Sequence, residues 1–168
     1  MAEAASRFQI QIARISAILI VALLVLGLIW YGTSLDVHRR IWSDIIDRPQ
    51  GPMAFRFILQ PVMAAICALH DGIHDARLGR NPYLWTILTD SQKSADRIRE
   101  GLLATGRIIM LGLVMDGVYQ AVVLKTFYPG EMVIVSLLLA FVPYLLLRGP
   151  VCRLFQWWLA RNATDRTP

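Results

Sequence analysis

The stretch ISAILIVALLVLGLIWYGTSL, residues 15–35, decides the class of fold, because it contains no charged residue in 21 positions. An α-helix needs about 20 predominantly apolar residues to cross the hydrocarbon core of a bilayer. Trp30 and Tyr31 stand near its end, where aromatic side chains favour the membrane–water interface. A signal peptide has a shorter apolar region, about 7–15 residues, and a cleavage pattern of small residues. We therefore predict a retained transmembrane helix.

The composition of the whole chain points in the same direction. Of its 168 residues, 56% are apolar and 17% are charged, and the mean hydropathy is +0.50. An average soluble domain is roughly 45–50% apolar and about 25% charged. These values exclude a disordered chain and an ordinary soluble enzyme. They favour an all-α polytopic membrane helical bundle, formed by residues 1–168 as a single integral membrane domain.

The net charge and the cysteine content bear on two further classes of protein, nucleic-acid-binding proteins and proteins held by disulfides or thiolate-bound metals. The net charge is +5, which we attribute to basic residues that flank membrane spans rather than to nucleic-acid binding. The chain has only two cysteines, Cys67 and Cys152, in or beside apolar segments and far apart in the sequence. This spacing predicts neither a disulfide framework nor a thiolate metal site.

Apolar segments predict about four transmembrane helices, at 15–35, 54–70, 108–124 and 132–147. The second is the weakest, because its uncharged part is short and Arg56 would have to extend to the membrane surface. Small residues nevertheless recur there every four positions, a pattern that lets two helix backbones approach closely. We expect this helix to continue to about Leu78. It should pack on a partner helix through a small-residue ladder, which consists of Ala64, Ala68, Gly72 and Ala76.

The remaining segments predict amphipathic helices. Residues 37–45 have helical apolar spacing among charges and predict a short interfacial helix. Residues 71–107 form an amphipathic cytoplasmic segment, in which 82–88 is re-entrant or interfacial and Asp90 or Ser91 caps the next helix. The fourth span is expected to end at the Arg-Gly-Pro sequence of residues 148–150, followed by a separate interfacial helix at 151–161.

The basic residues favour one topology. With four spans and both termini in the cytoplasm, twelve Lys and Arg lie inside and five outside, as the rule of excess positive charge inside requires. A three-span alternative, with 57–70 not crossing, gives fourteen inside and three outside. We prefer four spans because the small-residue ladder needs a helix partner and because Arg7 and Arg14 oppose translocation of the N-terminus.

The most informative polar residue is Asp116, in the middle of the third apolar run. A carboxyl group there costs roughly 2.5–3.5 kcal/mol on insertion scales, so it must face protein or water rather than lipid. Asp116 and Gln120 share a helix face, with Tyr119 beside them. Depth matching across the spans predicts a hydrogen bond from Gln60 to Asp116. These four residues are the predicted intramembrane polar cluster.

A second group of charged residues follows the second span: His70, Asp71, His74, Asp75 and Arg77. We interpret it as a charged helix end at the cytoplasmic interface. His70 and His74 share a face at a spacing that suits a metal ion, and Asp71 between them approaches the H-E-x-x-H zinc pattern. They are weak metal candidates. Asp116 would be the third ligand, but depth matching puts it about 12 Å from His70, too far to share one metal without a kink. Overall we predict no catalytic residue, no metal and no cofactor.

Several sequence blocks resemble those of small uncharacterised bacterial inner-membrane proteins. The likeness covers roughly residues 54–153 and implies a bacterial inner-membrane location without naming an activity. The blocks are RFILQP at 56–61, DGIHDAR at 71–77, GRNPYLW at 79–85, MDGVYQ at 115–120 and PYLLLRGP at 143–150.

Three functional hypotheses follow. The first is an accessory or scaffold membrane protein, not an enzyme, that packs with itself or with a larger membrane partner in the lipid bilayer and binds no nucleic acid. The second is a small proton, cation or solute transporter that uses Asp116 in the third span, with Gln60 and Gln120. The third is an intramembrane metal-dependent hydrolase that uses His70, Asp71 and His74.

Overall fold

The computed structural model describes residues 6–164. Arg166, counted in the predicted inner tail, lies outside them. The described residues form six α-helices and no strand: α1 (Arg7–Tyr31), α2 (Leu35–Asp47), α3 (Arg56–Arg77), α4 (Tyr83–Thr89), α5 (Ser91–Tyr119) and α6 (Pro129–Thr164). A 3₁₀ turn (Arg48–Gln50) follows α2, and a π-helical turn (Gln120–Leu124) extends α5.

Four of these helical segments are long and apolar enough to cross a membrane: Arg7–Tyr31, Arg56–Arg77, Ser91–Leu124 and Pro129–Asn162. The predicted all-α helical bundle is therefore confirmed, and the chain is a membrane protein. Each of the four predicted spans overlaps one of these segments, although the first extends past its end by residues 32–35 and the second begins before it by residues 54–55.

Helix boundaries follow the capping residues in the sequence. Ser6 and Gln9 form a capping box at the start of α1, and the Ser34 hydroxyl accepts a hydrogen bond from the Val37 amide at the start of α2. Asp90, rather than Ser91, is the N-cap of α5, since its carboxylate accepts from the Lys93 amide. α3 ends at Arg77, as the small-residue ladder predicts. Side-chain oxygens satisfy amides that a helix start leaves free.

The predicted helix boundary at residues 148–150 is wrong. α6 continues through Pro143 and Pro150 as one helix of 36 residues, so the predicted helix at 151–161 is its continuation. The reason is tertiary: α6 packs along α3 through this region, and Arg148 is buried against it. Residues 71–107 comprise the end of α3, all of α4 and the first half of α5.

Contacts between helices set their directions. Asp71 pairs with Tyr144, and Asp75 with Arg148, at the same sequence separation of 73, so α3 and α6 run parallel. α5 runs against them, because its start contacts the end of α3 and its end contacts the start of α3. α1 runs in the same direction as α5, since Ser16 donates to the Gly106 carbonyl and Tyr31, at the end of α1, donates to the Phe127 carbonyl beyond the end of α5. The four long helices therefore alternate in direction along the chain.

The small-residue ladder of α3 packs on α6, as its partner. Ala64 and Ala68 are fully buried, and Ala76 is 5% exposed. A Cβ added at Gly72 would lie 2.7 Å from Val151 Cγ1 and 2.9 Å from the Arg148 carbonyl oxygen. The two helix backbones therefore approach as closely as only glycine allows at that point. The expected helix partner of this ladder is confirmed.

Candidate functional site

Charged side chains gather inside the bundle at two levels. The first group, the Asp116 cluster, consists of Arg40, Arg48, Arg56, Asp116, Gln120 and Glu131. The second group, the Asp75 cluster, consists of Asp71, Asp75, Arg97, Glu100, Tyr144 and Arg148. Arg56 and Asp75 stand 19 residues apart on α3, which corresponds to about 28 Å of helix. This separation is close to the thickness of a hydrocarbon core, about 30 Å.

Asp116 is fully buried and binds two arginines from other elements. Arg56 Nη1 lies 2.8 Å from Asp116 Oδ1, and Arg48 Nη1 binds the same oxygen. Arg48 comes from the 3₁₀ turn after α2 and Arg56 from the first residue of α3, so Asp116 joins three parts of the chain. The sequence-based expectation that Arg56 extends to the membrane surface is wrong, since its side chain is 1% exposed. The Asp116 carboxylate pairs with the Arg56 guanidinium inside the bundle, so Arg56 does not need to reach the membrane surface for a polar partner.

Tyr119 lies between the two arginines. The Arg48 guanidinium carbon is 4.8 Å from the centroid of the Tyr119 ring, and that of Arg56 is 4.9 Å from it. Cation–π attraction at such distances is worth about 0.5–2 kcal/mol, more where water is excluded. The aromatic face therefore offsets part of the repulsion between the two cations.

Gln120 anchors the end of α5 to the start of α6. Its amide nitrogen donates to Asp116 Oδ2 at 2.9 Å and to the Tyr128 carbonyl at 3.1 Å. Its amide oxygen accepts from the Tyr128 amide at 2.7 Å. Both predicted members of the third span, Asp116 and Gln120, are thus in direct contact, and the turn into α6 depends on the second of them.

Glu131 completes the Asp116 cluster from the first turn of α6. It is 1% exposed and binds Arg48 Nη2 and, at 3.0 Å, Arg40 Nη1. Arg40 lies on α2 and also covers the ring of Tyr128, at 3.5 Å from its centroid. Two carboxylates and three guanidinium groups therefore fasten α2, α3, α5 and α6 together at this level.

The predicted hydrogen bond between Gln60 and Asp116 is wrong. Gln60 is fully buried, but its amide atoms have no hydrogen-bond partner among the described residues. The depth of Asp116 explains the error: it lies level with Arg56, the first residue of α3, rather than with Gln60 one turn further along. Five buried side-chain atoms in the described chain lack partners, and all belong to Gln60, Arg56 and Arg48.

The Asp75 cluster closes the opposite end of the bundle. Asp75 is fully buried on α3 and binds Arg148 of α6 through Nε at 2.8 Å and Nη2 at 2.7 Å. Arg97 of α5 approaches the other oxygen of Asp75 at 3.4 Å and binds Glu100 at 2.9 Å. Both Arg148 nitrogens donate to the same oxygen, Asp75 Oδ2, and such bonds between charged groups are stronger than neutral ones. They hold α3 and α6 in one register.

The predicted interfacial cluster is divided between the two sides of α3. Asp71 accepts from the Tyr144 hydroxyl at 2.7 Å and Asp75 is buried, so both face α6. His70, His74 and Arg77 are exposed on the outside. Asp116 is at the other cluster, about 14 residues or 21 Å of helix from His70, so it is no third ligand to these histidines. Among residues 6–164 no three side chains of the metal-binding types come together.

Eight residues of these clusters were not predicted as site residues: Arg40, Arg48, Arg56, Arg97, Glu100, Glu131, Tyr144 and Arg148. One signal could have indicated Glu131 and Arg148. Both stand inside or at the edge of apolar runs, and a charge there needs a partner of opposite sign. Which partner it takes depends on how the helices pack.

The arrangement pairs its charges internally and separates the two clusters by an apolar section. Buried Ala64, Ile109, Val133 and Ala140 lie between them. Two hydroxyl groups at intermediate depth bond to their own helices, since Ser136 donates to the Met132 carbonyl at 2.8 Å and Thr105 to the Gly101 carbonyl at 2.7 Å. The geometry suits a structural role in holding helices together.

Comparison of the chain with protein-family models, with curated protein sequences and with solved structures finds no match. The family resemblance of residues 54–153 therefore stays a prediction.

Proposed function

We propose that this membrane protein is multi-pass, that its membrane is a bacterial inner membrane, and that it is an accessory or scaffold protein that packs with itself or with a larger membrane partner. The observation that carries the proposal is the internal pairing of its charges. Asp116 and Asp75 each bind arginines from neighbouring helices. These groups fix the helices rather than present a reactive atom.

The membrane location and topology have separate support. The alternating directions of α1, α3, α5 and α6 fit four crossings, and the excess of basic residues on one side supports cytoplasmic termini. The inner membrane rests on the resemblance of residues 54–153.

The surface of α1 is the region that we propose for contact with a partner. In this helix only Ala13, Ser16 and Gly27 are buried, while Ile18 is 68% and Ile29 73% exposed. A helix held by so few contacts can pack against another protein without unfolding the rest of the bundle.

Cysteine cross-linking in native membranes tests the proposal. Single cysteines at Ile18 and Ile29 should cross-link to a second copy or to a partner. The buried control is Ala13→Cys, because Ala13 is only 8% exposed. The unsubstituted chain reports the background from Cys67 and Cys152. No cross-link, together with a monodisperse monomer and no co-purifying protein in mild detergent, would contradict the scaffold role.

A second candidate, a small proton, cation or solute transporter, is favoured by one observation. The unpartnered atoms of Gln60, Arg56 and Arg48 adjoin the Asp116 cluster, and polar groups inside a membrane often mark substrate or ion pathways. Flux into reconstituted vesicles tests it, with Asp116→Asn and Gln60→Leu as variants and Asp36→Asn as the exposed control. Equal flux through the unsubstituted chain and both variants would exclude this candidate.

A further inference from the structure

A cavity of about 940 Å³ lies between α4 and the first half of α5, beside the Asp75 cluster, two members of which, Arg97 and Glu100, line it. Its volume is within the range of small-molecule sites, about 300–1,000 Å³. Unlike most such sites, it is lined by polar side chains. Six of them are charged: Arg80, Asp90, Lys93, Asp96, Arg97 and Glu100.

The charges of this lining balance, since three are basic and three are acidic. A site for a simple anion or a simple cation would carry an excess of the opposite sign. A balanced lining instead suits a ligand that carries both charges. The remaining lining residues include Thr86 and Thr89, whose hydroxyl groups bond to carbonyls of their own helix.

Two of the six charged side chains are well placed to bind a ligand. Arg80 is 39% exposed, and its contacts with Asp75 and Glu100 are long, at 3.4 and 3.5 Å. Asp96 is exposed and forms no ion pair with any other residue of the described range 6–164. By contrast, Lys93 is bound to Asp90 at 2.9 Å, and that ion pair lowers the pKa of the Asp90 carboxyl.

The cavity lies at the boundary with lipid. Thr86 and Thr89 of α4 line it, while Trp85 and Leu88 on the same short helix are 57% and 73% exposed. Exposed Trp and Leu beside polar residues are typical of a helix at the membrane interface. A polar headgroup can therefore enter the cavity while its apolar chains remain in the bilayer.

We propose that this cavity binds a phosphoethanolamine group, from a phospholipid headgroup or a free phosphate monoester. A guanidinium fork suits the phosphate oxygens, which assigns them to Arg80. A primary ammonium donates hydrogen bonds to carboxylates, which assigns it to Asp96 with Glu100 beside it. Choline lacks these donors and is usually held by aromatic rings, whereas the eleven residues that line the cavity include none.

Binding to the full-length chain in detergent tests the proposal, with short-chain phosphatidylethanolamine, phosphatidylcholine and phosphatidylglycerol as probes. We expect the ethanolamine lipid to bind about tenfold more tightly than the choline lipid, since the carboxylate bonds are lost with choline. Equal binding of these two, or tighter binding of phosphatidylglycerol, would overturn the proposal. Free O-phosphoethanolamine distinguishes the two sources. If it binds about as tightly as the ethanolamine lipid, the ligand is the soluble ester; if it binds much more weakly, the ligand is the lipid headgroup.

Paired variants identify the residues. Asp96→Asn should lower affinity for the ethanolamine lipid about tenfold and leave the choline lipid unchanged, and Arg80→Gln should weaken both. Arg99→Gln and Asp36→Asn, both exposed and outside the cavity, should change neither. Since Asp96 has no ion-pair partner in the described chain, its substitution tests binding rather than folding. Unchanged affinity in both cavity variants would refute the assignment.

Discussion

Arg56, the first residue of α3, binds Asp116, near the end of α5, through a buried ion pair of 2.8 Å. At the other end of α3, Asp75 binds Arg148 of α6 at 2.7 Å. The two pairs lie about 28 Å apart along α3. They therefore hold this helix at both ends, and a shift of one turn would separate both pairs at once.

Removing Asp116 should destabilise the bundle more than removing Arg56. Asp116→Asn leaves Arg48 and Arg56 with Glu131 as the remaining buried acid, whereas Arg56→Gln leaves Asp116 bound to Arg48. A buried charge without its partner costs about 3–5 kcal/mol, so we expect a loss of that size for Asp116→Asn and a smaller one for Arg56→Gln. Denaturant unfolding in mixed micelles measures it.

The exposed Asp36→Asn is the control for that series and should leave the free energy of unfolding unchanged. Equal stability of Asp116→Asn and this control would show that the Asp116 cluster does not hold the helices.

The close approach of α3 and α6 predicts a sharp difference between two glycines. In Gly72→Ala the new Cβ would lie 2.7 Å from Val151 and must push the helices apart, which costs about 1–3 kcal/mol by overpacking. In Gly149→Ala the nearest atom would be Pro82 Cβ at 4.0 Å, an ordinary contact. Thermal unfolding should show a lower midpoint for the first variant alone; a similar midpoint for both would contradict the α3–α6 contact.

Two buried glutamines should respond in opposite ways to substitution by leucine. Gln120→Leu removes three hydrogen bonds and leaves the Tyr128 amide without its partner, while the Tyr128 carbonyl keeps the Met132 amide, so we expect a loss of about 1–3 kcal/mol. Gln60→Leu replaces an amide with no partner by an apolar group of similar size, so stability should stay equal or rise. Chemical denaturation compares them, and a marked loss in Gln60→Leu would indicate a bound polar partner.

Alkaline pH should weaken the fold through Tyr83. Burial raises the pKa of this phenol from 10 to about 12, and its hydroxyl donates to the Arg97 carbonyl at 2.5 Å. Because the unfolded chain loses the proton first, this contribution is complete below about pH 10 and disappears as the pH rises to about 12. Two pKa units correspond to about 2–3 kcal/mol.

Unfolding measured from pH 9 to pH 12 checks this sign. The Tyr83→Phe variant should have a lower free energy of unfolding than the unsubstituted chain at pH 9. Above pH 10 its free energy of unfolding should fall less steeply with pH. A decline as steep as that of the unsubstituted chain would assign the alkaline transition to other groups.

A reporter inserted near Ser43, in α2, separates the four-span and three-span topologies. Four spans place α2 outside the cytoplasm, so a reporter that is active only in the cytoplasm should be silent there. Both topologies place Ser94 inside, which makes an insertion near it the positive control. Cytoplasmic activity near Ser43 would overturn the four-span topology.

Some features of this chain follow from local sequence. Most of the run of 21 uncharged residues at 15–35 lies in α1, which is long enough to cross a membrane; backbone polar groups in lipid must be satisfied within the helix. Asp90 caps α5 and the ladder of small residues is buried, since capping and small-residue spacing act over a few positions.

Other features needed the packed helices. The sequence identified Asp116 and Gln120 as buried polar residues, but it paired Gln60 with Asp116, where the structure has Arg48 and Arg56. It also ended the fourth span at the Arg-Gly-Pro sequence, where α6 continues. In both cases the deciding contact joins residues far apart in the chain, and no local propensity contains that information.

The sequence alone thus determined an all-α membrane protein and indicated that Asp116 needs a polar partner, because hydrophobic length and the cost of a charge in lipid depend on local composition. Only the tertiary structure decided which charges meet. Ion pairing depends on helix direction, register and the distance between side chains, so Arg56 with Asp116 and Asp75 with Arg148 became visible only once α3, α5 and α6 were packed together.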